Sequence, residues 1–381
     1  MAFPITCIED LRSQAKRHLP RMFFDFVDGG AWSEITCAHN TADFDALRFR
    51  QRVAANLEAL RCETEVLGRP QRLPLAIAPT GLSGFIHGDG EILAARAAKN
   101  QGIPFTLSIM SNCSMEAVSA ATQHPFNLQI SIFKDRGFLQ SLIDRARVLN
   151  CPALVLTLDL HQVGKRHRDA KNGLAVPPRL SFRHLIDFAT KPNWAWSLLR
   201  TRHRSFGNLD GQLDGVQGRG AIAQWAAEQL ATQVSWDDVS WVRERWDGKL
   251  IIKGVLDADD AALAVQAGAD AVLVSNHGGR QLDGADSSIR ALPAIVKRIG
   301  DQAEVHLDSG VRTGQHVLKA LAQGARCVHL GRAHLYGLAA AGQAGVEQAI
   351  ALLHEELRLT MAFCGCQSVA DIHPGILLQP S

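Results

Sequence analysis

Eight short apolar runs recur along the chain, each closed by polar or turn-forming residues. They are LAIAPT (75–80), PFTLS (104–108), NLQISI (127–132), ALVLTLD (153–159), KLIIKG (249–254), AVLVSN (271–276), EVHLDSG (304–310) and CVHLGR (327–332). Runs this nearly continuous predict strands covered on both faces, as in parallel sheets, because a half-exposed strand would alternate. Between most of them the apolar positions repeat at helical spacing, as in GEILAARAAKNQG (90–102), DADDAALAVQAGA (257–269) and GQHVLKALAQGA (314–325). Most start-to-start spacings are roughly 20–35 residues, which suits one strand and the helix that returns the chain to its parallel neighbour. Eight such units predict an α/β fold, a closed (β/α)8 barrel rather than an open doubly wound sheet. No G-x-G-x-x-G opens a helix after the first strand, so the dinucleotide-binding alternative lacks its fingerprint.

One gap breaks the rhythm. Asp159 and Lys249 stand about ninety residues apart, where thirty would do. The excess, residues 160–225, is read as a lid or binding insertion rather than a second domain. Residues 1–70 are read as a helical cap followed by a short antiparallel piece, and 1–381 as one domain.

Composition narrows the class. With 46% hydrophobic and 20% charged residues the chain can bury a large core, and a net charge of +2 gives no footprint for nucleic acid. No run approaches the length of a membrane-spanning helix, and the N-terminus MAFPITCIEDLRSQAKR has acids and no apolar core of a secretory signal. The eight cysteines form no C-x-x-C pair, and Cys364-Gly365-Cys366 has no partner set at zinc-site spacing. They read as reduced thiols of a cytoplasmic protein, with no metal expected.

In such barrels the active site is built at the C-terminal strand ends. Here those ends carry Ala78-Pro79-Thr80, Ser108, Gln129 and Ser131, Thr157 and Asp159, Lys253, Ser275 to Arg280, Asp308 with Gly310 and Arg312, and Gly331-Arg332. Capping and solubility alone would place polar groups further out, in the loops. Gly310, Arg312, Gly331 and Arg332 follow strands seven and eight, where these barrels commonly hold phosphate. Ser108, Gln129 and Thr157 are neutral hydrogen-bonders suited to a flat heterocycle, and Lys253 adds a fixed positive charge. His277 with Asp159 makes a general-base pair, the carboxylate orienting the ring. Arg166 and Arg280 remain for an anionic substrate. Together these describe a flavin mononucleotide (FMN) oxidoreductase.

The same residues carry a family resemblance. SNHGGRQLDG (275–284), LDSGVRTGQHVLKALAQGA (307–325), HLGRAHLY (329–336), LIIKGVLDADDA (250–261) and IAPTG (77–81) resemble the motifs of the FMN-dependent α-hydroxy acid dehydrogenase/oxidase family over residues 5–373. VSWDDVSWVRERWDG (234–248) is most similar to its quinone-reducing lactate and mandelate dehydrogenases. The resemblance implies FMN contacts at Ala78, Pro79, Thr80, Ser108, Gln129, Thr157, Lys253, Ser275, Asp308, Gly310, Arg312, Gly331 and Arg332. It makes His277 the base, Asp159 its partner, and Arg166 and Arg280 the substrate-binding arginines. It also implies a homo-oligomer, a tetramer, reoxidised by quinone or oxygen.

Two departures stand out. The family places substrate-binding tyrosines at the positions read here as Phe24 and Ser131, whereas this chain has one tyrosine, Tyr336. The expected reaction is therefore oxidation of an L-2-hydroxy acid, bulky or aromatic rather than small. The alternatives are the same chemistry on an amine or a non-carboxylate alcohol, or flavin binding without turnover.

Residues 179–206 hold six Lys/Arg against one acid, with aromatic and aliphatic residues interleaved. That pattern suits peripheral contact with an anionic bilayer, at the inner face of the plasma membrane, or else a lid that buries its apolar face on the barrel or on a neighbouring subunit. The glycine-rich stretch 207–220 predicts a mobile segment.

Overall fold

The computed structural model describes residues 4–55, 59–174, 181–213, 215–216 and 218–378. Three helices come first, α1 (Ile8–His18), α2 (Arg21–Asp28) and α3 (Ile35–Ala46), then an antiparallel hairpin of β1 (Thr64–Val66) and β2 (Arg69–Gln71). All eight apolar runs form strands: β3 (Leu75–Ile77), β4 (Thr106–Ser108), β5 (Asn127–Ser131), β6 (Ala153–Thr157), β7 (Lys249–Val255), β8 (Ala271–Val274), β9 (Glu304–Leu307) and β10 (Cys327–Leu330). They are parallel, in the order β3-β10-β9-β8-β7-β6-β5-β4. A bridge between Ile77 and Phe105, with Ile77 N–H donating to Pro104 O at 2.8 Å, brings β3 to β4 and closes the cylinder. The three helices anticipated from periodicity lie at Gly90–Gln101, Ala258–Gln266 and Gly314–Ala322.

Burial on both strand faces explains the missing alternation. Outward residues such as Leu128, Leu154, Leu156 and Ile252 pack under the helices, while Ala153, Val155, Ile251, Ala271 and Leu273 fill the interior. Leu67, at the tip of the hairpin, reaches both interior clusters and plugs the N-terminal end of the barrel.

The 89-residue interval between Asp159 and Lys249 holds helices at His167–Lys171, Phe182–Ala189, Pro192–Arg200 and Arg219–Gln229, and then Trp236–Arg245 before β7. Composition predicts mobility over 207–220, and the structure corrects this for residues 207–213. Asn208 and Leu209 are wholly buried. The Asn208 amide donates to Ser108 O and Ile109 O at 3.3 Å, and its Oδ1 accepts from Met115 N–H at 2.8 Å. One amide satisfying the β4 loop backbone anchors a segment that is poor in apolar surface. Residues 214 and 217 lie outside the described residues, as do 179 and 180.

Candidate active site

The C-terminal strand ends converge as expected, and the loop after β8 is their centre. His277 and the two glycines that follow all take left-handed backbone angles, φ 58°, 69° and 71°. At Gly279 a Cβ would sit 2.6 Å from the Cys37 nitrogen, so only glycine lets this loop lie against α3. The coiled backbone turns the imidazole of His277 towards β6, where Nδ1 lies 3.1 Å from both carboxylate oxygens of Asp159. Donation of the Nδ1 proton to Asp159 leaves the Nε2 lone pair free to accept one. Burial alone would raise the Asp159 pKa, but the charges of His277 and Lys253 and the imidazole hydrogen bond outweigh it and hold the carboxyl below its ordinary value. Gly254 makes room for this pair. At the β7 bulge it takes φ 101°, and a Cβ there would stand 2.6 Å from Asp159 Cγ. Lys253, almost fully buried, donates to Ser275 Oγ at 2.8 Å and lies 3.4 Å from Asp308.

Beside the base stands a surplus of positive charge. Arg280 donates to Phe26 O at 2.6 Å and Gly29 O at 3.1 Å, and its guanidinium lies over the Phe26 ring at 4.9 Å. Arg166 lies over the same ring at 5.7 Å and is paired with Asp169 at 2.5 Å. The Arg280 pKa is pushed down to about 9, first by burial and then by the charges of Arg166 and Arg332. Guanidinium groups rarely give up their proton, so the depression registers as electrostatic strain that a bound anion relieves.

The aromatic neighbour of these arginines corrects one expectation. Phe24 points into the core, 5% exposed, against Arg12 rather than the site. Two residues along a helix are about 200° apart, so Phe24 and Phe26 occupy opposite faces of α2 and Phe26 is the ring at the arginines. Ser131 is where the sequence places it, at the end of β5, its Oγ accepting from Gln129 Nε2 at 3.2 Å.

The remaining predicted residues form a cradle that fits FMN. Ser108 donates to Gln129 Oε1 at 3.0 Å, so the β4 and β5 ends present one linked polar edge. At the end of β6, Thr157 Oγ1 is buried with no partner among the described residues, an orphan that a heterocycle edge would satisfy. Ala78 N–H, donating to Leu330 O at 3.0 Å, ties the first and last strands, and Pro79 and Thr80 line the seam beyond. Thr80 meets Ser83 at 2.9 Å and His334 Nε2 at 3.4 Å. Burial holds His334 down to about 4, and its Nδ1 contacts Leu330 O, so the neutral ring offers Nε2 as an acceptor.

At the phosphate end, Gly310 presses on the Asn40 carbonyl, while nothing lies within 4 Å of where a Gly331 Cβ would stand. This open position caps the helix that starts at Arg332, the geometry that receives anions. The Arg312 guanidinium donates only to its neighbour Val311 O among the described residues. Arg332 is more committed than its sequence role suggests. Its guanidinium donates to Val27 O, Gly278 O and Gly29 O at 2.8–2.9 Å, leaving two of its five N–H groups for a phosphate.

Sequence reasoning missed several supports. Asn276 and Asn40 exchange amide hydrogen bonds at 2.7 and 2.8 Å while buried. Gln281 donates to Asp159 O and accepts from Gly164 N–H, joining the β6 and β8 loops. Ser309 Oγ bridges Gly278 N–H and Asp308. Asn276, Gln281 and Ser309 lie in or beside SNHGGR and LDSG and Asn40 near neither, and none has a charge to mark it.

Known proteins of similar sequence and shape bear on this site. The sequence profile of the FMN-dependent dehydrogenase family matches residues 15–379. An L-lactate dehydrogenase of Caulobacter vibrioides is 43% identical over 376 residues, 98% of each chain. One from Xanthomonas axonopodis pv. citri is 42% identical over 97% of this chain and 95% of its own. The crystal structure of a monotopic membrane protein, (S)-mandelate dehydrogenase, superposes with a TM-score of 0.95 at 35% identity, covering 99% of this chain and all of that one. Likeness along the full length, on a barrel whose strand ends carry the donors a flavin needs, makes this chain a member of the FMN-dependent dehydrogenase family, an oxidoreductase with FMN as its cofactor.

Proposed function

We propose that the enzyme oxidises an L-2-hydroxy acid to the 2-oxo acid, with His277 as the base. The observation that carries this reading is the placement of His277–Asp159 beside Arg280 and Arg166, a proton acceptor next to an anion site. Bound FMN supplies a two-electron acceptor. Arg280 and Arg166 hold the substrate carboxylate, His277 Nε2 accepts the hydroxyl proton, and Asp159 steadies the imidazolium that results. Lys253 places a buried positive charge at the end of β7, where negative charge develops. An amine or alcohol without a carboxylate would leave the buried Arg280 without a counter-charge, which counts against that alternative. Anaerobic mixing with a panel of 2-hydroxy acids, amines and simple alcohols tests the proposal. Flavin absorbance is expected to bleach with an L-2-hydroxy acid only, and bleaching by the other classes alone would overturn it.

The same proposal includes peripheral attachment to a membrane. Among the described residues no helix is long and apolar enough to cross a bilayer. The helices Phe182–Ala189 and Pro192–Arg200 nevertheless expose Phe182 (75%), Leu185, Ile186, Trp196 (60%) and Leu199. Arg183, Arg200 and Arg202 are exposed in the same segment. The other side is docked: Trp194 donates to Phe85 O at 2.8 Å, and Phe188 and Trp194 pack on Phe23. An exposed apolar patch flanked by arginines suits an anionic lipid surface, and a membrane quinone is the acceptor this location favours. Wild-type enzyme is expected to sediment with anionic vesicles, more strongly at low salt, and replacing the five exposed apolar residues by serine to release it with flavin retained. Wild-type protein staying in the supernatant at both salt levels would leave the segment as a lid or subunit contact.

A further inference from the structure

The N-terminal half of the barrel interior holds polar side chains that the active site does not use. Register pairs Cys327 on β10 with His306 on β9. Side chains alternate along a strand, so His329 joins Cys327 on the inner face and Glu304 joins His306. His306, Cys327 and His329 are all buried, and one ligating atom from each lies within 4.8 Å of the others.

Three features distinguish this cluster from chance neighbours. His306 Nδ1 and His329 Nε2 face each other at 3.1 Å, close to the roughly 3.3 Å that separates two imidazole nitrogens on a tetrahedral zinc ion. The other nitrogen of His306 contacts Glu304 Oε2 at 3.0 Å, the carboxylate–histidine arrangement that orients metal-binding imidazoles and fixes their tautomer. Finally, His329 Nδ1 is buried with no partner among the described residues, so this nitrogen is free to carry the ring proton when Nε2 takes a metal.

We infer that His306, Cys327 and His329 form a zinc-binding site inside the barrel, with Glu304 orienting His306 and a water completing the tetrahedron. Nδ1 of His306, Nε2 of His329 and Sγ of Cys327 are the ligands. The proton in the hydrogen bond between the imidazoles moves to His329 Nδ1 as Nδ1 of His306 and Nε2 of His329 bind the metal, and the thiol proton leaves to solvent as the thiolate binds. One thiolate and the adjoining Glu304 carboxylate balance the charge of Zn2+, which offsets the repulsion from Lys253 further along the interior. The site spans β9 and β10 beneath the hairpin tip, where Leu67 N–H donates to Glu304 Oε1 at 2.8 Å. Its role is to lock this end of the barrel, away from the chemistry.

The test uses the FMN-bound enzyme, treated with chelator, exposed to Zn2+ and desalted before its zinc is measured. Wild-type protein is expected to retain about one zinc per chain, and Cys327→Ala and His329→Leu to lose it while keeping their flavin spectra. His203→Ala, which disrupts the other such grouping among the described residues, the partly exposed Asp89 and His203 with Cys113, is expected to retain it. X-ray absorption at the zinc edge of the loaded wild type, expected to show a sulfur ligand at about 2.3 Å, keeps the idea testable should either barrel variant fail to fold. No retained zinc, a zinc shell without sulfur, or loss in His203→Ala alone would overturn the assignment.

Discussion

With FMN bound, the His277→Ala enzyme is expected to be reduced by its substrate roughly 10²–10⁴-fold more slowly than wild type, the range for a positioned general base. Flavin is expected to stay in place, because all the cradle donors except Ser275 lie on other strands. Asp159→Asn extends the test. An amide can accept the imidazole N–H but cannot balance its charge once the proton has been taken. The carboxyl is held below its ordinary pKa despite its burial, so it is ionised throughout the neutral range and its loss is felt there. A second slow enzyme, with KM changed less than kcat, is therefore expected. Stopped-flow reduction without oxygen measures both, and a His277→Ala enzyme reduced at the native rate would assign the base elsewhere.

The second large effect concerns the missing phenols. A hydrogen bond to a charged group contributes roughly 1.5–3 kcal/mol, so two absent hydroxyls cost about 3–6 kcal/mol, or roughly two to four decades in binding a small hydroxy acid or its transition state. Lactate and glycolate have little else to offer and are expected to be poor substrates. A larger acid recovers the loss by burying apolar area against Phe26 and in the space left by Ser131, at about 25 cal/mol per Å2. The pair to restore is Phe26→Tyr with Ser131→Tyr, since Phe26 and not Phe24 lies under Arg280 and Arg166. Ser131 is 3% exposed, so a ring there must take up substrate space, and the double variant is expected to gain on lactate as it loses the bulkier acid. Rapid reduction of the unmodified enzyme by micromolar lactate or glycolate would show that neither phenol is needed.

What was legible in the chain follows from periodicity and local chemistry. Eight apolar runs became eight strands because burial on both faces leaves the same signature whatever the surrounding contacts. His277, Asp159, Arg280 and Lys253 were legible because a charged or titratable group at the end of a buried strand has few other uses. Phe24 against Phe26 was not. Both are phenylalanines in one turn of helix, and the rotation of α2 about its axis, set by packing of Met22, Phe24 and Val27 against the core, chose between them.

Arg332 shows the same limit from the other side. Its sequence position fits a phosphate, yet three of its donors hold carbonyls, those of residues 27 and 29 brought near by docking of α2 and that of 278 by the loop after β8. Asn208 looked like part of a glycine-rich linker until the β4 loop supplied carbonyls for its amide. His306 and Cys327 lie 21 residues apart, with no motif linking them. Sequence determined which residues point inward from each strand, since that alternation is covalent geometry. Only closure of the barrel decided which inward residues meet, because register between strands is set by hydrogen bonds across the whole sheet.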